Sequence, residues 1–163
     1  FNVIRFKSAK YTIERPLQLG AALATSDQTY FEQFTHYGLP LGEAFQLRDD
    51  LLGVFGDPQE TGKPAGDDLR EGKRTVLIEI AFKSASGEQL AYLTEHFGSA
   101  DLTLDQIEKI REIIIDLAAL AQVETLISQL LERSTAALEL SSVTATANKA
   151  LFELALAATS RRL

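Results

Sequence analysis

The stretch GLPLGEAFQLRDDLLGVF, from Gly38 to Phe55, decides how this chain is read. Gly42, Gln46, Asp49 and Gly53 recur at intervals of three and four, so on a helix they share one face. Leu41, Ala44, Leu51, Leu52, Val54 and Phe55 populate the rest. The polar stripe is therefore narrow and flanked by apolar surface, whereas a solvated face would carry more Lys and Glu. A carboxylate held against apolar surface needs a partner, because an unpaired buried charge is costly. The next segment supplies the opposite charge: Thr61-Gly62-Lys63, then Gly66-Asp67-Asp68-Leu69-Arg70-Glu71-Gly72-Lys73. Carboxylates that gather a hard divalent cation, followed closely by lysines that suit phosphate oxygens, describe a site for a metal-bound diphosphate. An Asp-Asp pair on a helix is common, and a charged glycine-containing loop is usually a solvated turn. The fixed order and spacing of the two together is far more specific.

Working outward, 163 residues suffice for one domain with a sizeable core, and a hydrophobic content of 45% excludes a disordered chain. With no cysteine, disulfides, thiolate metal sites and cysteine nucleophiles are ruled out. His36 and His96 lie far apart, against a histidine-rich zinc site. A formal net charge of -7 argues against general affinity for nucleic acid or anionic membranes. No apolar run approaches the roughly 18 residues of a membrane span, and no signal-peptide pattern opens the chain, so a cytoplasmic location is the default expectation. Phe1 is not an initiator, there is no Met, and the sequence opens inside a helical pattern, as a fragment would.

The pattern is helical nearly throughout. An amphipathic helix is expected from about Val3 to Tyr11, with Pro16 as a kink or a fresh first turn. Leu17, Leu19 and Leu23 extend an apolar stripe to about Ala24, and Ser26 or Asp27 can cap the next helix, from about Gln28 to Phe55, bent at Gly38 and Pro40. Residues 57–74 hold three glycines, two prolines and many charges and read as a loop without secondary structure, the kind that is usually functional or disordered. Helices are expected over Thr75 to Lys83, Gly87 to Phe97, Leu104 to Leu120, Val123 to Leu140 and Val143 to Ala158. Nothing alternates as a strand does.

These residues resemble the second aspartate-rich region of the trans-isoprenyl (polyprenyl) diphosphate synthases. That family carries a glycine-spaced helix ending in Phe-Gln-x-x-Asp-Asp-x-x-Asp, then Gly-Asp-x-x-x-x-Gly-Lys, then Gly-x-Asp-Leu-x-x-x-Lys. The chain reads Gly38, Gly42, Phe45, Gln46, Asp49, Asp50, then Gly56, Asp57, Gly62, Lys63, then Gly66, Asp68, Leu69 and Lys73. The similarity is strong over 38–76 and reaches back to Lys7-Ser8-Ala9, which looks like the family's Lys-Thr-Ala or Lys-Thr-Gly element. It implies an all-α isoprenoid-synthase helical bundle around a central apolar cavity, of which residues 1–163 are the C-terminal portion, with a lysine-bearing active-site loop at about 57–74. It also implies a magnesium-dependent prenyltransferase, usually a homodimer. Such an enzyme condenses an allylic diphosphate with isopentenyl diphosphate, 1'-4, to a longer trans-polyprenyl diphosphate such as farnesyl or geranylgeranyl diphosphate.

Carried over by position, Asp49 would ligate magnesium and Asp50 would support it, directly or through water, with three ions expected in the complete enzyme. Lys7 and Lys63 would grip the allylic diphosphate, Lys73 would sit near the same oxygens, and Gln46 would lie beside the allylic carbon or the diphosphate. Ser8 and Tyr11 would stand near the reacting carbons, core packing being an equal reading of Tyr11. Phe45 reads as packing, Asp57 as a cap of its turn, and Asp67 and Asp68 as residues that order the lysine loop, a solvated-loop role being the alternative for Asp67. Arg161 and Arg162 read as a frayed charged tail, with isopentenyl diphosphate contact as the alternative. Two departures stand out. Gly53 replaces the third aspartate of the motif, which weakens metal binding unless another side chain or water fills the gap. The first aspartate-rich motif is absent, so these residues alone hold half a metal clamp and are expected to be inactive. Two rivals follow: a non-catalytic partner subunit of a synthase, and a class I terpene cyclase.

Overall fold

The computed structural model describes residues 4–62 and 64–161, apart from the side chains at 7, 60 and 61. Every regular element among these residues is helical. A π-helix over Ile4–Glu14 runs into α1 (Arg15–Ala24), followed by α2 (Thr29–Phe55), α3 (Pro58–Thr61), α4 (Asp67–Arg70), α5 (Val76–Ser84), α6 (Gly87–His96), α7 (Leu104–Asp116), α8 (Ala119–Glu139) and α9 (Ala145–Thr159). The all-α expectation holds, and the chain divides into two compact units.

The first unit takes the residues up to Arg48 together with Leu126–Arg161. Its core gathers Tyr37, Leu41, Leu138 and Ala155, with Ile13, Leu17, Leu131, Val143, Leu151 and Ala158 packed against them. Polar atoms that enter this core are paired, as burial demands. Tyr37 donates its hydroxyl to the Leu151 carbonyl at 2.7 Å, and the Ser134 hydroxyl donates to the Tyr37 carbonyl at 2.8 Å. Arg48 is 8% exposed and donates from Nε to the Thr159 carbonyl at 2.8 Å. A cation at the last turn of α9 suits the negative end of that helix.

The second unit, Asp49–Thr125, buries Leu51, Val54, Leu69, Leu77, Ile78, Leu93, Ile107, Ile110 and Ile114. Ile107, Ile110 and Ile114 stand three and four apart on α7, the spacing of one helical stripe. The Thr75 side chain caps α5 by accepting from the Ile78 amide, and Thr103 with Gln106 forms a reciprocal capping box on α7. Arg111 donates from Nε to the Val54 carbonyl at 2.8 Å, which fastens the end of α2 to α7.

Several local expectations change. The first helix is π rather than α and runs to Glu14, its large apolar residues Phe6 and Tyr11 exposed and Glu14 buried, with Pro16 in the first turn of α1 where a missing N–H costs nothing. On α1 the buried residues are Gln18 and Ala21, while Leu19 and Leu23 are 65% and 91% exposed. Gln18 is tolerated because it donates to the Phe31 carbonyl and to Thr35 Oγ1 and accepts from Arg15. Asp27, not Ser26, holds the start of α2, accepting from the Thr29 amide at 2.9 Å. The 57–74 segment contains two short helical turns, α3 and α4, each opened by its own local geometry. The helix expected from Leu104 to Leu120 breaks after Asp116, where Ala118 takes a left-handed φ of 54°.

Candidate active site

On the first unit, the π-helix and the middle of α2 meet at a glycine. A Cβ added to Gly42 would lie 2.4 Å from the Ala9 Cα, so only a residue without a side chain allows the two backbones this close. That approach brings the Lys-Ser-Ala element against the Phe-Gln element. The Ser8 hydroxyl donates to Gln46 Oε1 at 2.5 Å. Arg5 and Glu43 stand 3.8 Å apart on the same pair of helices, the guanidinium about half exposed and the carboxylate mostly covered. Tyr11 is 78% exposed, so core packing within this chain is not its role. The Lys7 side chain lies outside the described residues.

Phe45 has a partner that the sequence left open. The Arg161 guanidinium lies over its ring at 4.8 Å, a cation–π contact, so the described end of the chain is stacked rather than frayed. Arg162 lies outside the described residues. His36 is exposed, and His96 makes ordinary local contacts, stacking edge-on with Tyr92 at 4.3 Å.

On the second unit, Asp49 is partly exposed and Asp50 is buried, 4% exposed. Asp50 does not stand alone with its charge. The Lys73 ammonium is 3.1 Å from its Oδ1 and 2.9 Å from Oδ2 of Asp68, itself 3% exposed. Burial works to depress the Lys73 pKa, and the Asp68 hydrogen bond together with Asp50 more than reverses it, leaving it raised. The gap at Gly53 is filled by the same group. A Cβ there would fall 2.3 Å from Asp68 Oδ2, so the Asp68 carboxylate occupies the space a side chain at 53 would take. Asp57 caps α3, accepting from the Gln59 amide at 2.8 Å, as its turn requires. Asp67 opens α4, whereas Asp68 is the residue that ties this loop inward. Lys63 lies outside the described residues.

The pairing of the buried Asp68 carboxylate with the partly exposed Lys73 ammonium is the part of the site least visible in the sequence. Its only trace in the sequence is the five-residue separation of an acidic and a basic residue across a glycine-containing turn. Among the described residues no group of three or more His, Asp or Glu side chains is arranged to hold a metal ion by itself. That donor set suits magnesium in one mode, with a single carboxylate such as Asp49 completed by phosphate oxygens and water, and not an all-protein cage.

The polyprenyl synthetase family model matches residues 1–114. The geranylfarnesyl diphosphate synthase of Aeropyrum pernix is 36% identical over 124 residues, which are 76% of this chain and 37% of that protein. Among solved structures, a geranylgeranyl pyrophosphate synthase from Corynebacterium glutamicum, complexed with isoprenyl diphosphate and magnesium, is 46% identical with a TM-score of 0.94. It covers 98% of this chain and 45% of its own. A polyprenyl synthase from Caulobacter crescentus, complexed with calcium and isoprenyl diphosphate, is 34% identical with a TM-score of 0.87 over 99% of this chain and 48% of its own. The chain thus spans less than half the length of each of these three proteins. The likeness shows the all-α isoprenoid-synthase fold.

Proposed function

The chain belongs to the polyprenyl synthetase family, and on that premise we propose that the protein carrying it is a magnesium-dependent prenyltransferase. It joins an allylic diphosphate to isopentenyl diphosphate, 1'-4, and acts as a homodimer. The allylic carbon–oxygen bond breaks, the electron pair leaves with pyrophosphate, and the isopentenyl double bond attacks the allylic cation. A proton then leaves the new chain for a pyrophosphate oxygen. The product is five carbons longer, in the range of farnesyl or geranylgeranyl diphosphate.

The difficult step is charge separation at the leaving group. Magnesium bound there supplies positive charge that the departing pyrophosphate needs. Three ions are expected in the complete enzyme. Asp49 is the carboxylate of this chain that would hold it, with Asp50 behind it on the same helix. Lys7 and Lys63 donate to diphosphate oxygens and stabilise the charge as it develops. Gln46 directs its carboxamide to the diphosphate or the allylic carbon, and Ser8 and Tyr11 stand near the reacting carbons.

The observation that supports this reading most is the Ser8–Gln46 hydrogen bond, which joins the family's two sequence elements inside one unit. Among the described residues no single helix is long and apolar enough to cross a membrane. The test is incubation of the full-length protein with magnesium, an allylic diphosphate and radiolabelled isopentenyl diphosphate. Label in a longer prenyl chain supports the proposal. An unlabelled cyclic hydrocarbon means a terpene cyclase, and no product without an added synthase means a non-catalytic partner subunit.

A further inference from the structure

Resting on that reading, we infer that Lys73 is a positioning residue, the resident counter-ion of Asp50 and Asp68, and not a diphosphate ligand. Three observations within one unit carry this. The ammonium lies within hydrogen-bonding distance of both carboxylates, 3.1 Å from Asp50 and 2.9 Å from Asp68. Both carboxylates are nearly inaccessible, at 4% and 3% exposure, so each needs a positive partner. The backbone repeats the contact, since the Lys73 amide donates to the Asp68 carbonyl at 3.0 Å, which fixes where the side chain starts.

The arrangement has a direct consequence for the metal-bearing helix. Asp50 and Asp68 belong to α2 and α4, and one ammonium couples them. Removing it takes from Asp50 and Asp68 the ammonium they share, which loosens the α2 turn that carries Asp49 from α4. Gly53 is the residue that admits this triad, because the Asp68 carboxylate rests where its Cβ would be. The loss of the third motif carboxylate and the inward turn of Asp68 are thus two sides of one packing solution. Lys73 acts on catalysis by holding Asp50 and the neighbouring Asp49 in register, while gripping of the diphosphate falls to other lysines.

The two roles separate in the full-length protein with Lys73→Met, Lys73→Arg, Asp68→Asn and the double variant Asp68→Asn/Lys73→Met. Loss of a charged hydrogen bond to phosphate would weaken pyrophosphate binding about ten- to a hundredfold. For a counter-ion, calorimetry with magnesium and inorganic pyrophosphate gives a Kd within about twofold of wild type in Lys73→Arg and in the double variant Asp68→Asn/Lys73→Met, whatever the disturbance of Asp49 in Lys73→Met alone. Lys73→Met lowers kcat and the melting temperature, Lys73→Arg restores kcat, and Asp68→Asn rescues the melting temperature of Lys73→Met by removing one of the two carboxylate charges. A tenfold or greater loss of pyrophosphate affinity in Lys73→Met, with no rescue by Asp68→Asn, overturns the inference. If Lys73→Met does not fold, the double variant decides: unchanged pyrophosphate affinity supports the inference, and a tenfold loss overturns it. If wild type transfers no prenyl group at all, the prenyltransferase reading falls, and the melting rescue still decides whether Lys73 is the counter-ion.

Discussion

The Ser8 hydroxyl donates to Gln46 Oε1 at 2.5 Å, across a separation of 38 residues. The bond fixes the carboxamide. With its oxygen turned to Ser8, Gln46 directs its Nε2 hydrogens away from Ser8, and those are the end that suits an anionic oxygen. Ser8→Ala removes the bond and is expected to lower kcat/KM by up to about tenfold, the worth of one neutral hydrogen bond. Ser8→Thr keeps the hydroxyl and is expected to stay within about twofold of wild type. Steady-state kinetics of the full-length variants check both.

Tyr37 gives a pH prediction. It is 2% exposed, and burial pushes its hydroxyl up from 10.0 to about 12. The folded pKa is the raised one, so the stabilising contribution is complete below the unfolded value near 10 and is lost as pH climbs from there through about 12. The tyrosinate absorbance of wild type minus that of Tyr37→Phe should therefore rise only toward pH 12. A difference component with a midpoint near the ordinary tyrosine value of about 10 would show that this hydroxyl is solvated.

Ala118 sits where a helix commonly ends on a left-handed glycine, with φ 54° just after the Leu117 cap of α7. A left-handed alanine costs roughly 1–2 kcal/mol, and a glycine gives back roughly 0.5–1 kcal/mol of that through the freer unfolded chain. Ala118→Gly is thus expected to raise stability by about 0.5 kcal/mol, and the branched Ala118→Val to lower it by about 1 kcal/mol or more. Urea midpoints at constant slope measure both.

Much of this architecture was legible because it rests on local pattern. The glycine-spaced apolar helix ending at Phe55, the Asp57 cap and the all-helical class each follow from residues a turn apart. What was not legible depends on partners distant in sequence or on small free-energy differences. Nothing in the sequence of Ile4–Glu14 announces a π-helix in place of an α-helix. Leu19 and Leu23 looked like a core stripe, yet Gln18 takes the buried position because Phe31 and Thr35 satisfy its amide. The break at Ala118 carries no turn residue to announce it. Asp68 looked like one of many loop charges, and its burial becomes intelligible only with Gly53 and Lys73 beside it. Composition alone also gave no sign that Arg161 would stack on Phe45.

The most direct test of the account replaces one atom set on α2. Asp49→Asn keeps the shape of the side chain and removes the charge that would hold magnesium. In the full-length protein, with magnesium and radiolabelled isopentenyl diphosphate, the account predicts a fall in turnover of at least about a hundredfold, with the melting temperature unchanged. Turnover close to wild type, at the same magnesium requirement, would contradict it.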